Sequence, residues 1–128
     1  MPKAKLFVIS VENRPGTLAH VAKVLGDNRV NILGFLTTTS NGEGTVQVVA
    51  DNVNKAKKAL ESSGLKWSET DVLQAELPSV SGTLARFTEK LGAKGINVTC
   101  GFATVARGAK KASVVLVVSD LERASRVR

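Results

Sequence analysis

ENRPGTLAHVAKVL at residues 12–25 and PSVSGTLARFTEKL at residues 78–91 share the tetrapeptide GTLA at an offset of 66. Comparing 16–31 with 82–97, seven of sixteen positions are identical: Gly16, Thr17, Leu18, Ala19, Leu25, Gly26 and Asn31. The likeness continues, with small length changes, into TVQVVAD (45–51) against SVVLVVSD (113–120). A period this long does not suit a solenoid and points to a duplicated small domain.

Each copy carries its own local signals. From Thr17 the apolar residues Leu18, Val21, Ala22 and Leu25 fall at i, i+3, i+4 and i+7, one face of a helix that ends near Asp27 and Asn28. KLFVISV (5–11) before it and VNILGFLTTTS (30–40) after it read as strands. SNGEG (40–44) is a hairpin turn, because Asn-Gly accepts positive φ at both positions, and TVQVVA (45–50) pairs back. Asp51 or Asn52 caps a second helix with Val53, Ala56, Ala59 and Leu60 on its apolar face; Gly64 closes it, and KWSET (66–70) forms a last strand. The second copy runs from DVLQAEL (71–77) through a helix bearing Leu84, Phe87 and Leu91 to the strands INVTCGFATV (96–105) and ASVVLVVS (112–119). Asp120 caps the tail, which has length for about two helical turns.

The expected fold is therefore α+β: two tandem ferredoxin-like βαββαβ units at 1–70 and 71–128, each an antiparallel sheet with its helices on one face. The second unit is expected to be truncated at its C-terminus, since no residues remain for a final strand.

Composition narrows the chemistry. The chain has 128 residues, 43% hydrophobic and 23% charged, and no apolar run approaches a bilayer span. LFVISV is too short for a signal peptide, and the lone Cys100 supports neither a disulfide framework nor a Cys-rich metal site, so a cytoplasmic protein is expected. Lys and Arg total 18 against 11 acids, for a formal charge of +7, which raises nucleic-acid binding as a rival reading. The positive groups are scattered over helix faces, a turn and the tail. RNA-recognition modules of this element order stack bases on aromatics of their central strands, whereas TVQVVA and ASVVLVVS carry no aromatic residue. An enzyme finds little support. There is one His and no Tyr; His20 reads as an exposed helix residue, Cys100 lies in an apolar strand, and Glu12, Glu43, Glu69 and Asp71 lack metal-ligand spacing. No catalytic residue, metal or cofactor is implied, and no phosphate loop follows from GEG or LGAKGIN.

The loop ENRPG carries more. Pro15 fixes φ, Gly16 opens backbone angles closed to other residues, and the helix behind them starts with amides that lack internal partners. Such a start favours a carboxylate. Asn13 either caps the helix or turns its amide on a ligand; Asn31, with Asn97 in the matching place, either holds an amino group or finishes a turn.

ENRPGTLAHVAKVLGDNRVNI resembles the signature of the ACT domain, a small βαββαβ ligand-binding module: Asn13, Pro15, Gly16, Leu18, Asn31 and Ile32 match its pattern. The second copy keeps Gly82, Leu84, Asn97 and Val98 but has Ser79 and Ser81 in place of Asn13 and Pro15. The resemblance implies a non-catalytic regulatory protein that pairs side by side, a dimer being favoured, and binds a small molecule, typically an amino acid, at the interface. Asn13, Arg14, Pro15, Gly16, Thr17 and Leu18 would line that site, with Asn31 and Ile32 completing it. Ser79, Val80, Ser81, Gly82, Thr83, Leu84, Asn97 and Val98 mark a possible second site. A regulated amino-acid metabolic enzyme is the implied partner, and a regulatory subunit of a biosynthetic enzyme such as acetolactate synthase is the variant of that reading. No membrane partner is implied.

Overall fold

The computed structural model describes residues 3–40 and 42–127. Along the chain lie β1 (Lys3–Glu12), α1 (Thr17–Asp27), β2 (Ile32–Ser40), β3 (Glu43–Ala50), α2 (Val53–Ser63), β4 (Lys66–Pro78), α3 (Thr83–Ala93), β5 (Val98–Thr104), β6 (Lys111–Val118) and α4 (Leu121–Ala124). The chain divides into two compact units, one formed by Lys5–Thr70 and one by the chain from Asp71 together with Lys3 and Ala4. The α+β class and the ferredoxin-like element order expected from sequence are found.

In the first unit the strand order is β2-β3-β1-β4. β3 pairs antiparallel with β1 and β2, and its register sets Phe7 opposite Val48 and Ile9 opposite Val46. Since side chains alternate along a strand, these four share one face of the sheet. Val21 and Leu25 of α1 and Ala56, Ala59 and Leu60 of α2 pack onto that face, all of them buried. Each fully buried valine, leucine, isoleucine or phenylalanine side chain among them contributes about 1.5–3 kcal/mol. Trp67 closes the core, its ring 5.9 Å from that of Phe7 and tilted by 60°. The hairpin falls where expected, with Ser40 opposite Glu43 and Gly42 at φ 79. The expectation for Asn41 lies outside the described residues, as do the domain ends at 1, 2 and 128.

The second unit repeats the plan with β4-β6-β5. Leu73 opposes Leu116 and Ala75 opposes Val114, and Phe87 and Leu91 of α3 pack on them. The tail forms one helical turn rather than two. Asp120 caps it by accepting the Arg123 N–H at 3.1 Å, and Ala124 and Val127, three residues apart, are buried in this core. KWSET and DVLQAEL, expected as separate strands, are one strand of 13 residues, β4. No Gly, Pro or Asn stands between them to turn the chain.

The two hairpins also correct the alignment of the repeat. Ile32 opposes Ala50 and Val98 opposes Val118, each followed by a register shift at the next pair. Asp51 therefore corresponds to Ser119, and Asn52 to Asp120. Asn52 is the residue that caps α2, accepting the Lys55 N–H at 3.0 Å, which frees Asp51 for another task.

Candidate functional site

The chain leaves β1 at Glu12 and turns tightly. The Arg14 N–H donates to the Glu12 carbonyl at 3.0 Å, and the Arg14 guanidinium pairs with the Glu12 carboxylate, also at 3.0 Å. Gly16, at φ 90 and ψ −8, is the N-cap of α1, a backbone conformation that side chains other than glycine's rarely adopt. It brings no side chain to cap the helix. Asn13 accordingly does not cap it, and neither does Thr17, whose hydroxyl donates back to the Arg14 carbonyl at 3.1 Å. The first helical bond runs from His20 N–H to the Gly16 carbonyl at 3.0 Å. The amides of Leu18 and Ala19 meet no acceptor among the described residues.

A cleft of about 360 Å³ opens at this helix start, walled by Glu12, Arg14, Pro15, Gly16, Thr17 and His20. It adjoins a hydroxyl-rich depression at the end of the sheet, with which it shares Ser10, Val11 and Glu12. Leu18 and Ile32 lie instead on an apolar slot of about 160 Å³ with Phe35 and the buried Val21, Val46 and Val48. The structure thus gathers Arg14, Pro15, Gly16 and Thr17, sets Leu18 and Ile32 beside a separate apolar slot, and places Asn13 and Asn31 on neither. The backbone of Asn31 is instead clamped by Asp51: the Asn31 N–H donates to Asp51 Oδ1 at 2.9 Å, and the Asp51 N–H donates to the Asn31 carbonyl at 3.0 Å. Sequence reasoning missed Glu12 and His20 as wall residues. The available signal for His20 was its place one helical turn after Gly16, where its side chain leans back towards the loop.

The second unit repeats the frame. Gly82, at φ 87, caps α3 without a side-chain bond, and Thr83 N–H donates to the Val80 carbonyl at 3.1 Å. Asn97 N–H donates to Ser119 Oγ and Ser119 N–H to the Asn97 carbonyl, both at 2.9 Å, the counterpart of the Asn31–Asp51 clamp. The surroundings differ. No atom lies within 4 Å of a Cβ built on Gly16, whereas at Gly82 that Cβ would stand 2.9 Å from Arg86 Nη1. Arg86 also donates to Thr83 Oγ1 at 3.3 Å. Val80 and Thr83 line a cleft of about 340 Å³ here; Ser79, Ser81, Gly82, Leu84, Asn97 and Val98 do not. Among the described residues no three His, Cys, Asp or Glu side chains gather where they could hold a metal, and no helix is long and apolar enough to cross a membrane.

The first unit has the βαββαβ order and the second repeats its βαββα part, and in each the N-cap of the first helix is a glycine that brings no side-chain bond. Residues 5–62 match the family model of the ACT domain, so the chain carries an ACT domain in its first unit. Among solved structures it resembles protein BT0572 from Bacteroides thetaiotaomicron, at 26% identity and a TM-score of 0.88, covering 96% of this chain and 84% of that one. The regulatory subunit of aspartate kinase from Thermus thermophilus, in its ligand-free form, aligns with a TM-score of 0.67 at 15% identity, covering 97% of this chain and 88% of that one. The corresponding subunit from Thermus flavus gives 0.64 at 16% identity, over 89% and 82%. These last two likenesses are of fold. Among curated protein sequences none matches.

Proposed function

We propose that the chain is a non-catalytic regulatory protein whose first unit binds a free amino acid, with residues 71–128 serving as a second, diverged ACT domain. The observation that carries this reading is the cleft at Gly16. Two unpartnered amides, of Leu18 and Ala19, accompany it, and Arg14 and Glu12 bring a cation and an anion to one wall. A zwitterion complements such a site: its carboxylate meets the amides and Arg14, and its ammonium meets Glu12. Asn13, Arg14, Pro15, Gly16, Thr17 and Leu18 form the near side in this reading, and Asn31 and Ile32 the side completed by a neighbouring copy.

Pairing of copies is supported by the edge strand β2, which exposes Leu33 and Phe35, 49% and 53% accessible, beside Leu18 of α1. β2 contains no charged residue and no proline to discourage edge-to-edge association. The partner in this reading is a cytoplasmic amino-acid metabolic enzyme, and the fold likeness to separate regulatory subunits of aspartate kinase favours a dedicated subunit. Ligand binding would bias one arrangement of the assembly through its differential affinity for it.

A thermal-shift panel of the twenty amino acids tests the reading. One or a few should raise the melting temperature in a concentration-dependent way, and Arg14→Ala should abolish the shift. A flat response across the panel at millimolar concentration would sink it. Light scattering tests the pairing: the chain should run as a dimer and Phe35→Ser should shift it towards monomer.

A further inference from the structure

We propose that the cleft at the start of α3 binds a small monocarboxylate with an apolar tail and no ammonium group, a ligand of different class from the one read for the first cleft. The two clefts are built on corresponding positions, so their chemistry can be compared side chain by side chain. At the offset of 66, Val11 becomes Leu77, Glu12 becomes Pro78, Arg14 becomes Val80, Thr17 remains threonine as Thr83, and His20 becomes Arg86. Two of these changes, Glu12 to Pro78 and Arg14 to Val80, remove charge, while His20 to Arg86 adds a cation; Glu76, in the place of Ser10, does not line the second cleft. No carboxylate lines the second cleft.

Its floor is apolar, since Leu77 and Phe87 are buried beneath it and Val80, 65% accessible, forms a rim. Covering that rim with an alkyl or aryl tail is favourable in proportion to the area removed from water. The polar side is cationic. Arg86 and Lys90 both stand on the wall, and the Arg86 guanidinium forms no ion pair among the described residues. Among the described residues its one side-chain bond is the 3.3 Å contact to Thr83, which leaves most of its five donors for a carboxylate that it can grip with two parallel bonds. An ammonium group would meet the Arg86 guanidinium and no carboxylate among the lining residues, so like charge and desolvation both exclude it. The inference uses only the second unit and stands whether or not the first cleft binds an amino acid.

The test is a pair of titrations of the full-length, nitrogen-15-labelled chain, one with 4-methylpentanoate and one with leucine, which carries the same branched tail with an ammonium added. 4-Methylpentanoate is expected to shift the amides of Val80, Thr83 and Phe87 saturably, and leucine is expected to leave them in place. Arg86→Gln should weaken 4-methylpentanoate binding by about tenfold or more, the loss of one charge-assisted contact. Should that variant fail to give a folded spectrum, Val80→Asp, at a mostly exposed position, sets an anion on the rim and is expected to weaken binding as much. The proposal is overturned if no saturable shifts appear at these amides, if leucine moves them equally, or if the folded variant retains its affinity. Leucine shifts confined to the first unit would bear on the first cleft alone.

Discussion

Asp51 and Asn31, twenty residues apart, hold each other in both directions: the Asp51 carboxylate accepts the Asn31 N–H at 2.9 Å and the Asp51 N–H donates to the Asn31 carbonyl at 3.0 Å. The clamp ties the exit from α1 to the end of β3, just before β2 begins. Asp51 therefore fixes the backbone of the asparagine that the family signature singles out, and leaves the Asn31 side chain without a partner among the described residues. In the second unit Ser119 performs the same two bonds on Asn97.

Replacing Asp51 by Ala is expected to destabilise the first unit by about 1 kcal/mol, the usual net worth of such a bond at an exposed position. Asp51→Asn keeps an acceptor oxygen and should lose less than half as much. Urea unfolding with an unchanged m-value checks both. Equal losses for the two variants would mean that the charge, and not the bond to Asn31, is what matters.

Gly16 and Gly26 give opposite expectations for the same substitution. Neither has an atom within 4 Å of a built Cβ, so space does not distinguish them. Gly16 sits at φ 90, where alanine is strained by about 1–2 kcal/mol. Gly26 lies in the last turn of α1, where alanine stiffens the unfolded chain and adds about 0.4–1 kcal/mol. Thermal unfolding should therefore show Gly16→Ala melting lower and Gly26→Ala higher than the parent chain; the same sign for both would contradict the left-handed cap.

The single tryptophan reports on the first core. Trp67 packs against Phe7, which is 1% exposed, with ring centroids 5.9 Å apart. Phe7→Leu keeps an apolar group but loses the aromatic edge contact and part of the volume, an expected cost of about 1–3 kcal/mol. Trp67 emission should move to longer wavelength in the folded variant as water reaches the ring. An unchanged emission maximum would show that Trp67 does not rest on Phe7 in solution.

How far these features were legible depends on their range along the chain. The helix stripes, the hairpin and the element order rest on periods of a few residues, and those are written locally in Val21 and Leu25 or in Phe7 and Ile9. The duplication was legible because both copies kept Gly-Thr-Leu-Ala. What could not be read were choices settled by contacts across the fold. Asp51 and Asn52 are both competent caps by type, and only the pairing of Ile32 with Ala50 decides that Asn52 caps while Asp51 turns back to Asn31. Gly101 is a similar case. It occupies the place of Phe35, and a Cβ there would stand 2.7 Å from Leu116 Cδ2, so a larger residue on β6 has taken the space that Phe35 and Val48 share on the other unit. Arg86 lying against Gly82 is likewise a rotamer, invisible in a sequence where Arg and His at that position look like two polar residues on a solvated face.

The ion pair between Lys3 and Glu122, 119 residues apart, yields a pH dependence. The hydrogen bond from Lys3, and then its charge, hold the Glu122 carboxyl below its ordinary 4.5 in the folded chain. In the unfolded chain that partner is lost and the carboxyl takes up a proton at higher pH. The unfolded state therefore binds more protons in this window, and stability rises with pH through it. The contribution is complete above the unfolded value and is lost as the pH falls through the depressed folded one. Both side chains are well exposed, at 44% and 66%, so the effect is modest and weakens in salt. Unfolding midpoints measured from about pH 6 down to about pH 3 should fall more steeply for the parent chain than for Glu122→Gln. The two curves should draw together at about 1 M salt. Parallel curves at low salt would show that the pair does not form in solution.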